Sequence, residues 1–229
     1  MERHFERELH RVREQLLEMG GRVEEMIGKA ADALIERDAE LCREVVDEDR
    51  EVDRMELAID EACYSLMVRH QPTAGDLRFL IAVMKIVTDL ERIGDSTVNI
   101  CQSVEQLNQE PPLKPYVDLP RMSKRTARMV RDALDALVRR DAAQATRVTE
   151  ADDEVDSLYR QVFGELMSFM TEDPKTTRRA VHLLLVARNL ERIADHATNI
   201  AEDVIYYVEG RDVRHPGQRE TTEEPVGVS

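Results

Sequence analysis

From Met19 onward the apolar residues of this chain fall at Val23, Met26, Ile27, Ala30, Leu34 and Ile35. This three-then-four spacing gathers one stripe of an α-helix against a core. Gly20 and Gly21 interrupt the pattern as an expected soft point. Asp38 is a natural N-cap, so the first helix is expected to end near residue 36 and a second to run over 38–69. Gln71, Pro72, Thr73, Ala74 and Gly75 read as a loop, and a third helix is expected over 75–109. Pro111, Pro112, Pro115 and Pro120 then make a break that no helix crosses.

After the break the pattern starts again. Leu90 to Ile100 and Leu190 to Ile200 agree at seven of eleven positions at an offset of 100. Arg37, Asp38 and Ala39 match Arg140, Asp141 and Ala142, while Asp49, Val52 and Asp53 match Asp152, Val155 and Asp156, at an offset of 103. The loops at Pro72 and Pro174 absorb the difference. The chain is therefore expected to be all-α, two tandem three-helix bundles related by an internal repeat, with further helices near 119–139, 141–171 and 176–209. The expected domains are 1–110 and 119–209, with 210–229 a solvated tail lacking apolar periodicity.

Composition narrows the function classes. The 229 residues carry 32 Lys and Arg against 47 Asp and Glu, a net charge of −15, which repels nucleic-acid phosphates and anionic headgroups. Apolar runs such as Phe79 to Met84 are far shorter than the ~20 residues that span a bilayer. The first residues show no export signal, so a cytoplasmic protein is expected. Cys42, Cys63 and Cys101 lack CxxC spacing and are expected to be small buried apolar residues. Methionines such as Met26, Met55, Met84, Met129 and Met167 fall at positions expected to fill the core.

The candidate chemistry lies in acidic stripes. Glu91, Asp95 and Asn99 follow at i, i+4, i+8, and Glu191, Asp195 and Asn199 repeat them. Asp49 and Asp53 on the second helix recur as Asp152 and Asp156 on the fifth. Glu56 and Asp60 extend only the first stripe, their counterparts being Tyr159 and Phe163. If adjacent helices turn these stripes together, four carboxylates and an amide meet, a hard oxygen ligand set suited to Mg, Mn, Ca or Fe. A single acid pair four residues apart means little in a chain this acidic; recurrence in both halves is what singles these out. Arg92 and Arg192 either orient the carboxylates, dock partners, or neutralise a solvated lattice of charges.

Other chemistry finds less support. None of the six histidines has a Glu three residues before it, the spacing of ferritin-like di-metal sites. His182 reads as a surface or satisfied core histidine, and His196, next to Asp195, as a neighbour of the carboxylate ligands. No phosphate-binding glycine loop or nucleophile elbow is present. From the residues alone two classes stay open: a carboxylate-bridged metal protein with an enzymatic or storage role, and a helical bundle whose acids only solubilise it.

The stretches Gln71 to Arg78, Asp89 to Asp95 with Asn99 and Ile100, and Asn189 to Ile200 resemble the PhoU family of phosphate-uptake regulators, from about Phe5 to Tyr207. Two departures stand out: Asp89 is matched by Asn189, and the loop Asp173 to Arg178 has lost the pattern of Gln71 to Arg78. The resemblance implies two similar three-helix bundles and a non-enzymatic accessory protein, in many members a dimer. Such a protein links the ATPase subunit of the phosphate ABC transporter to a membrane sensor histidine kinase, reaches the membrane only through those partners, and represses the phosphate-starvation response. It also implies metal clusters of Mg, Mn, Fe or Zn held by Asp49, Asp53, Glu91, Asp95, Asp152, Asp156, Glu191 and Asp195. Arg92, Asn99, Arg192, His196 and Asn199 would stand beside the metal ligands or meet partners.

Overall fold

The computed structural model describes residues 2–213, with side chains from His4 onward, and every regular element among them is helical. The helices are α1 (Glu2–Glu36), α2 (Ala39–His70), α3 (Ala74–Leu107), α4 (Asp118–Arg139), α5 (Ala142–Glu172) and α6 (Thr177–Glu209), with a 3₁₀ turn at Pro174–Thr176 before α6. The part of the tail expected beyond residue 213 lies outside the described residues.

The repeated Arg-Asp pair explains two of the turns. Arg37 and Arg140 adopt left-handed φ values of 60° and 54°, closing one helix, and the aspartate that follows caps the next. The Asp38 carboxylate accepts from the Glu40 N–H at 2.7 Å, and that of Asp141 from the Gln144 N–H at 2.9 Å. Arg37 also donates to the carbonyls of Leu107 at 3.0 Å and Glu110 at 2.7 Å, tying the first turn to the start of the proline-rich connection.

Within each repeat consecutive helices pack antiparallel, as short connections require, and the first packs on the third. The repeats then join along two seams, α1 on α4 and α3 on α6, and one continuous core runs through both, with Leu16, Met19, Leu80, Ile86, Ile93, Val186, Ile193 and Ile200 closed to solvent. Helices α2 and α5 touch only their own repeat and form the flanks.

Four local expectations need correction or detail. Gly20 is not a soft point: α1 runs unbroken through it, and a Cβ there would collide with Cδ1 of Leu134, so the glycine allows close approach of α1 and α4. Met167 is exposed rather than core, and Met55 and Met84 are only half-buried, while Met26 and Met129 are buried. All three cysteines are buried and unpaired, with Cys42 Sγ 3.7 Å from the Cys101 carbonyl. His182 is half-buried with an Nδ1 that has no partner, so it is neither a surface nor a satisfied histidine.

Candidate functional site

On each flank the predicted carboxylates of two adjacent helices act on one another through their charges. On the first flank, α2 supplies Asp49, Asp53 and Glu56, and α3 supplies Glu91 and Asp95. Burial, then the charges of Asp53 and Asp95, push Asp49 up to about 6. Burial and the charges of Asp95, Glu56, Asp53 and Asp49 push Glu91 up to about 7. Each carboxylate therefore feels its predicted neighbours across the helix pair. Gly94 makes the closest fit, since a Cβ there would stand 2.8 Å from Asp49 Oδ1.

The second flank repeats the arrangement on α5 and α6. Burial, then Asp195, Asp156 and Glu191, raise Asp152 to about 6. Burial also raises Glu191 and Asp195, against the opposing charge of Arg188. Arg188 donates to Glu191 Oε1, a neutralising contact with no equivalent in the first repeat, where Thr88 holds that position and bonds the Met84 carbonyl. Where Glu56 enlarges the first cluster, the second has the rings of Tyr159 and Phe163, 6.4 Å apart.

Several of these oxygens are buried and unsatisfied: Asp49 Oδ1 and its repeat equivalent Asp152 Oδ1, together with Asp60 Oδ1 and Glu191 Oε2. A buried carboxylate oxygen without a partner carries the full desolvation penalty, so each cluster is suited to a cation. Among the described residues no three His, Cys, Asp or Glu side chains converge as a closed cage. The donor set is oxygen alone, fitting a hard divalent or ferric ion.

The amides do not join the carboxylates. Each i+4 step turns about 40° around a helix, so by i+8 Asn99 and Asn199 have rotated about 80° away, onto the seam between α3 and α6. There Asn199 donates to Asp89 Oδ1 at 3.3 Å, and His196 Nδ1 lies 2.8 Å from the same oxygen. His196 thus bonds across the buried seam, while its charge also acts on the neighbouring Asp195. Arg92 and Arg192 line hollows of the same seam, Arg192 sharing its hollow with Asn99.

Beside the predicted ligands stand Glu56, which the sequence analysis placed on the first stripe only, and three residues it did not single out, Arg188, Lys85 and Asp203. Glu56 stood on the stripe but had no partner in the second repeat. Arg188 had a signal, its place one turn before Glu191. Lys85 and Asp203, 3.0 Å apart across the seam, are 118 residues apart in the chain and have no local signal at all.

No helix among the described residues is long and apolar enough to cross a membrane. The PhoU domain family matches residues 16–104 and 119–204, one domain per repeat. The chain is 43% identical over 226 residues to a phosphate-specific transport system accessory protein PhoU homolog of Pseudomonas putida, covering 98% of this chain and 88% of that protein. Its fold is similar to the crystal structure of PhoU from Pseudomonas aeruginosa, with a TM-score of 0.88 and 42% identity over 90% of this chain and all of the other. The phosphate transport system regulatory protein PhoU from Streptococcus pneumoniae has a TM-score of 0.85 and 30% identity, covering 91% of this chain and 99% of its own.

Proposed function

This chain belongs to the PhoU family, and we propose that it is a non-enzymatic regulator of phosphate transport, an adaptor rather than a catalyst. In this role it docks in the cytoplasm, as a homodimer, on the ATPase subunit of a phosphate ABC transporter and on a sensor histidine kinase. It holds both in the repressed state when phosphate is plentiful. The likeness to accessory proteins of phosphate-specific transport runs through both repeats, and that observation carries the reading.

The surface supports docking. Tyr64 and Val68 at the end of α2, with Leu77 and Ile81 at the start of α3, are exposed. Phe163 and Met167 on α5, with Val181 and Leu185 on α6, are exposed around the corresponding turn of the second repeat. Large apolar side chains left in water, with Tyr64 matched by Met167 and Ile81 by Val181, are what partner helices would cover.

The carboxylate clusters fit a supporting role. Asp49, Asp53, Glu91 and Asp95 would hold cations on the first flank, and Asp152, Asp156, Glu191 and Asp195 on the second. A bound divalent or ferric ion would supply charge neutralisation and a cross-link between helices. The protein's own part is geometric: near the middle of each flank it fixes α2 against α3, and α5 against α6.

A phosphate-starvation reporter in phosphate-rich medium tests the regulatory role, comparing parent, deletion and complemented strains. High expression in the deletion, reversed by complementation, is expected. Unchanged expression, with neither partner co-purifying with the chain, would refute the adaptor role.

A further inference from the structure

The seam between α3 and α6 is antiparallel, and the 100-residue offset makes two hollows from matching positions with different chemistry. The first, about 320 Å³, is lined by Lys85, Thr88, Asp89, Arg92, Asn199 and Asp203. Its charges are answered internally: Lys85 Nζ pairs with Asp203 at 3.0 Å, and Asp89 is engaged by His196 and Asn199.

The second hollow, about 630 Å³, is lined at the corresponding positions by Leu185, Arg188, Asn189, Arg192, Asn99 and Ser103. Both aspartates of the first hollow are replaced by neutral residues, Asp89 by Asn189 and Asp203 by Ser103. Thr88 is replaced by a second cation, Arg188. Glu105 is the single carboxylate in its lining. Arg188 is shared with Glu191, whereas Arg192 makes no hydrogen bond among the described residues and acts only through its charge, on Asp195. His182 lines the same hollow, and its Nδ1 is shut off from solvent without a partner.

We propose that this second hollow binds a phosphate-bearing anion, either inorganic phosphate or the phosphate chain of a nucleotide. Two guanidiniums about one helical turn apart offer planar donor forks that match phosphate oxygens, and the surrounding amides and hydroxyl add neutral donors. On a surface of net charge −15 an anion is repelled from most places, so a pocket from which the acids have been removed is where one would settle. The site rests on the contrast between the two hollows; the choice of phosphate over other anions rests on the regulatory reading above.

Calorimetric titration of the full chain tests this, in the presence of a chelator so that cations on the flanks cannot recruit the anion. Inorganic phosphate, ATP and citrate are titrated separately, the first two separating a free from a nucleotide-borne phosphate. Saturable binding of phosphate or ATP is expected, weakened about tenfold or more in Arg192→Gln, whose side chain is exposed and makes no hydrogen bond among the described residues. Asn189→Asp, which copies the first hollow, should weaken it as much, and Asp89→Asn should leave it unchanged. The proposal is overturned if neither phosphate ligand binds, if citrate binds more tightly than both, or if Arg192→Gln and Asn189→Asp bind like the parent. Absence of binding alongside a derepressed deletion strain would refute the hollow and leave the regulatory reading standing, whereas anion binding with an unchanged reporter would do the reverse.

Discussion

His196 Nδ1 and Asp89 Oδ1 lie 2.8 Å apart across the seam that joins the two repeats. Both residues are buried, and neither has its like at the matching position of the other repeat, where Ser96 and Asn189 stand. The contact therefore breaks the symmetry of the repeat at its centre, and Asn199 completes it from the next turn of α6.

Removing the acceptor should weaken the whole chain. Asp89→Ala leaves the buried His196 Nδ1 without its partner and takes an acceptor from the exposed Asn199, and a loss of about 1–3 kcal/mol is expected in urea unfolding. Ser96→Ala, whose hydroxyl bonds only the Arg92 carbonyl one turn back, should change stability by less than about 1 kcal/mol in the same assay. Equal losses would show that the seam contact contributes nothing special.

The two adjacent glycines of α1 should behave oppositely. At Gly21 a Cβ meets nothing within 4 Å, so Gly21→Ala is expected to stabilise the helix by about 0.5–1 kcal/mol. At Gly20 the added methyl strikes Leu134, and overpacking of about 1–3 kcal/mol outweighs that gain. Thermal melts of the two variants should move in opposite directions.

Stability without metal should rise on mild acidification. Asp49, Glu91 and Asp152 have folded-state pKa values near 6, 7 and 6, above their usual 3.8, 4.5 and 3.8, so between those limits the folded chain binds more protons than the unfolded one. The slope of unfolding free energy with pH is then negative, and the penalty on folding is complete above the folded values. Urea midpoints of chelated protein should increase as pH falls from about 7.5 to about 5, where these groups take up protons. A midpoint that falls over this range would mean that other groups dominate.

Cation binding should reverse this trend and release protons, because ligand oxygens must be deprotonated. Titrating Mn²⁺ near pH 6.5 into the chelated chain, in two buffers of different ionisation enthalpy, reads that release. Asp49→Asn should remove the share of the first flank and Asp152→Asn that of the second. Gly94→Ala should weaken the first alone, by crowding Asp49, because the second repeat already carries Ala194.

Much of this architecture was legible along the chain because it depends on near neighbours. The spacing of Val23, Met26, Ile27, Ala30 and Leu34 specifies a buried stripe, Asp38 and Asp141 cap the helices that follow them, and the prolines after Glu110 forbid a continuous helix. The carboxylate clusters were legible for the same reason, since an i, i+4 pair on each of two adjacent antiparallel helices leaves few ways to pack. What escaped depends on which faces of α3 and α6 meet. Asn99 and Asn199 share a sequence stripe with Glu91 and Glu191, but the slow rotation of that stripe carries them to the seam. Lys85 and Asp203, Asp89 and His196, and Gly20 and Leu134 are partners only because two repeats dock against each other. Local periodicity sets each helix and its buried face; the pairing of distant charges and the fit of one helix against another were decided by tertiary packing, which no spacing within a single segment encodes.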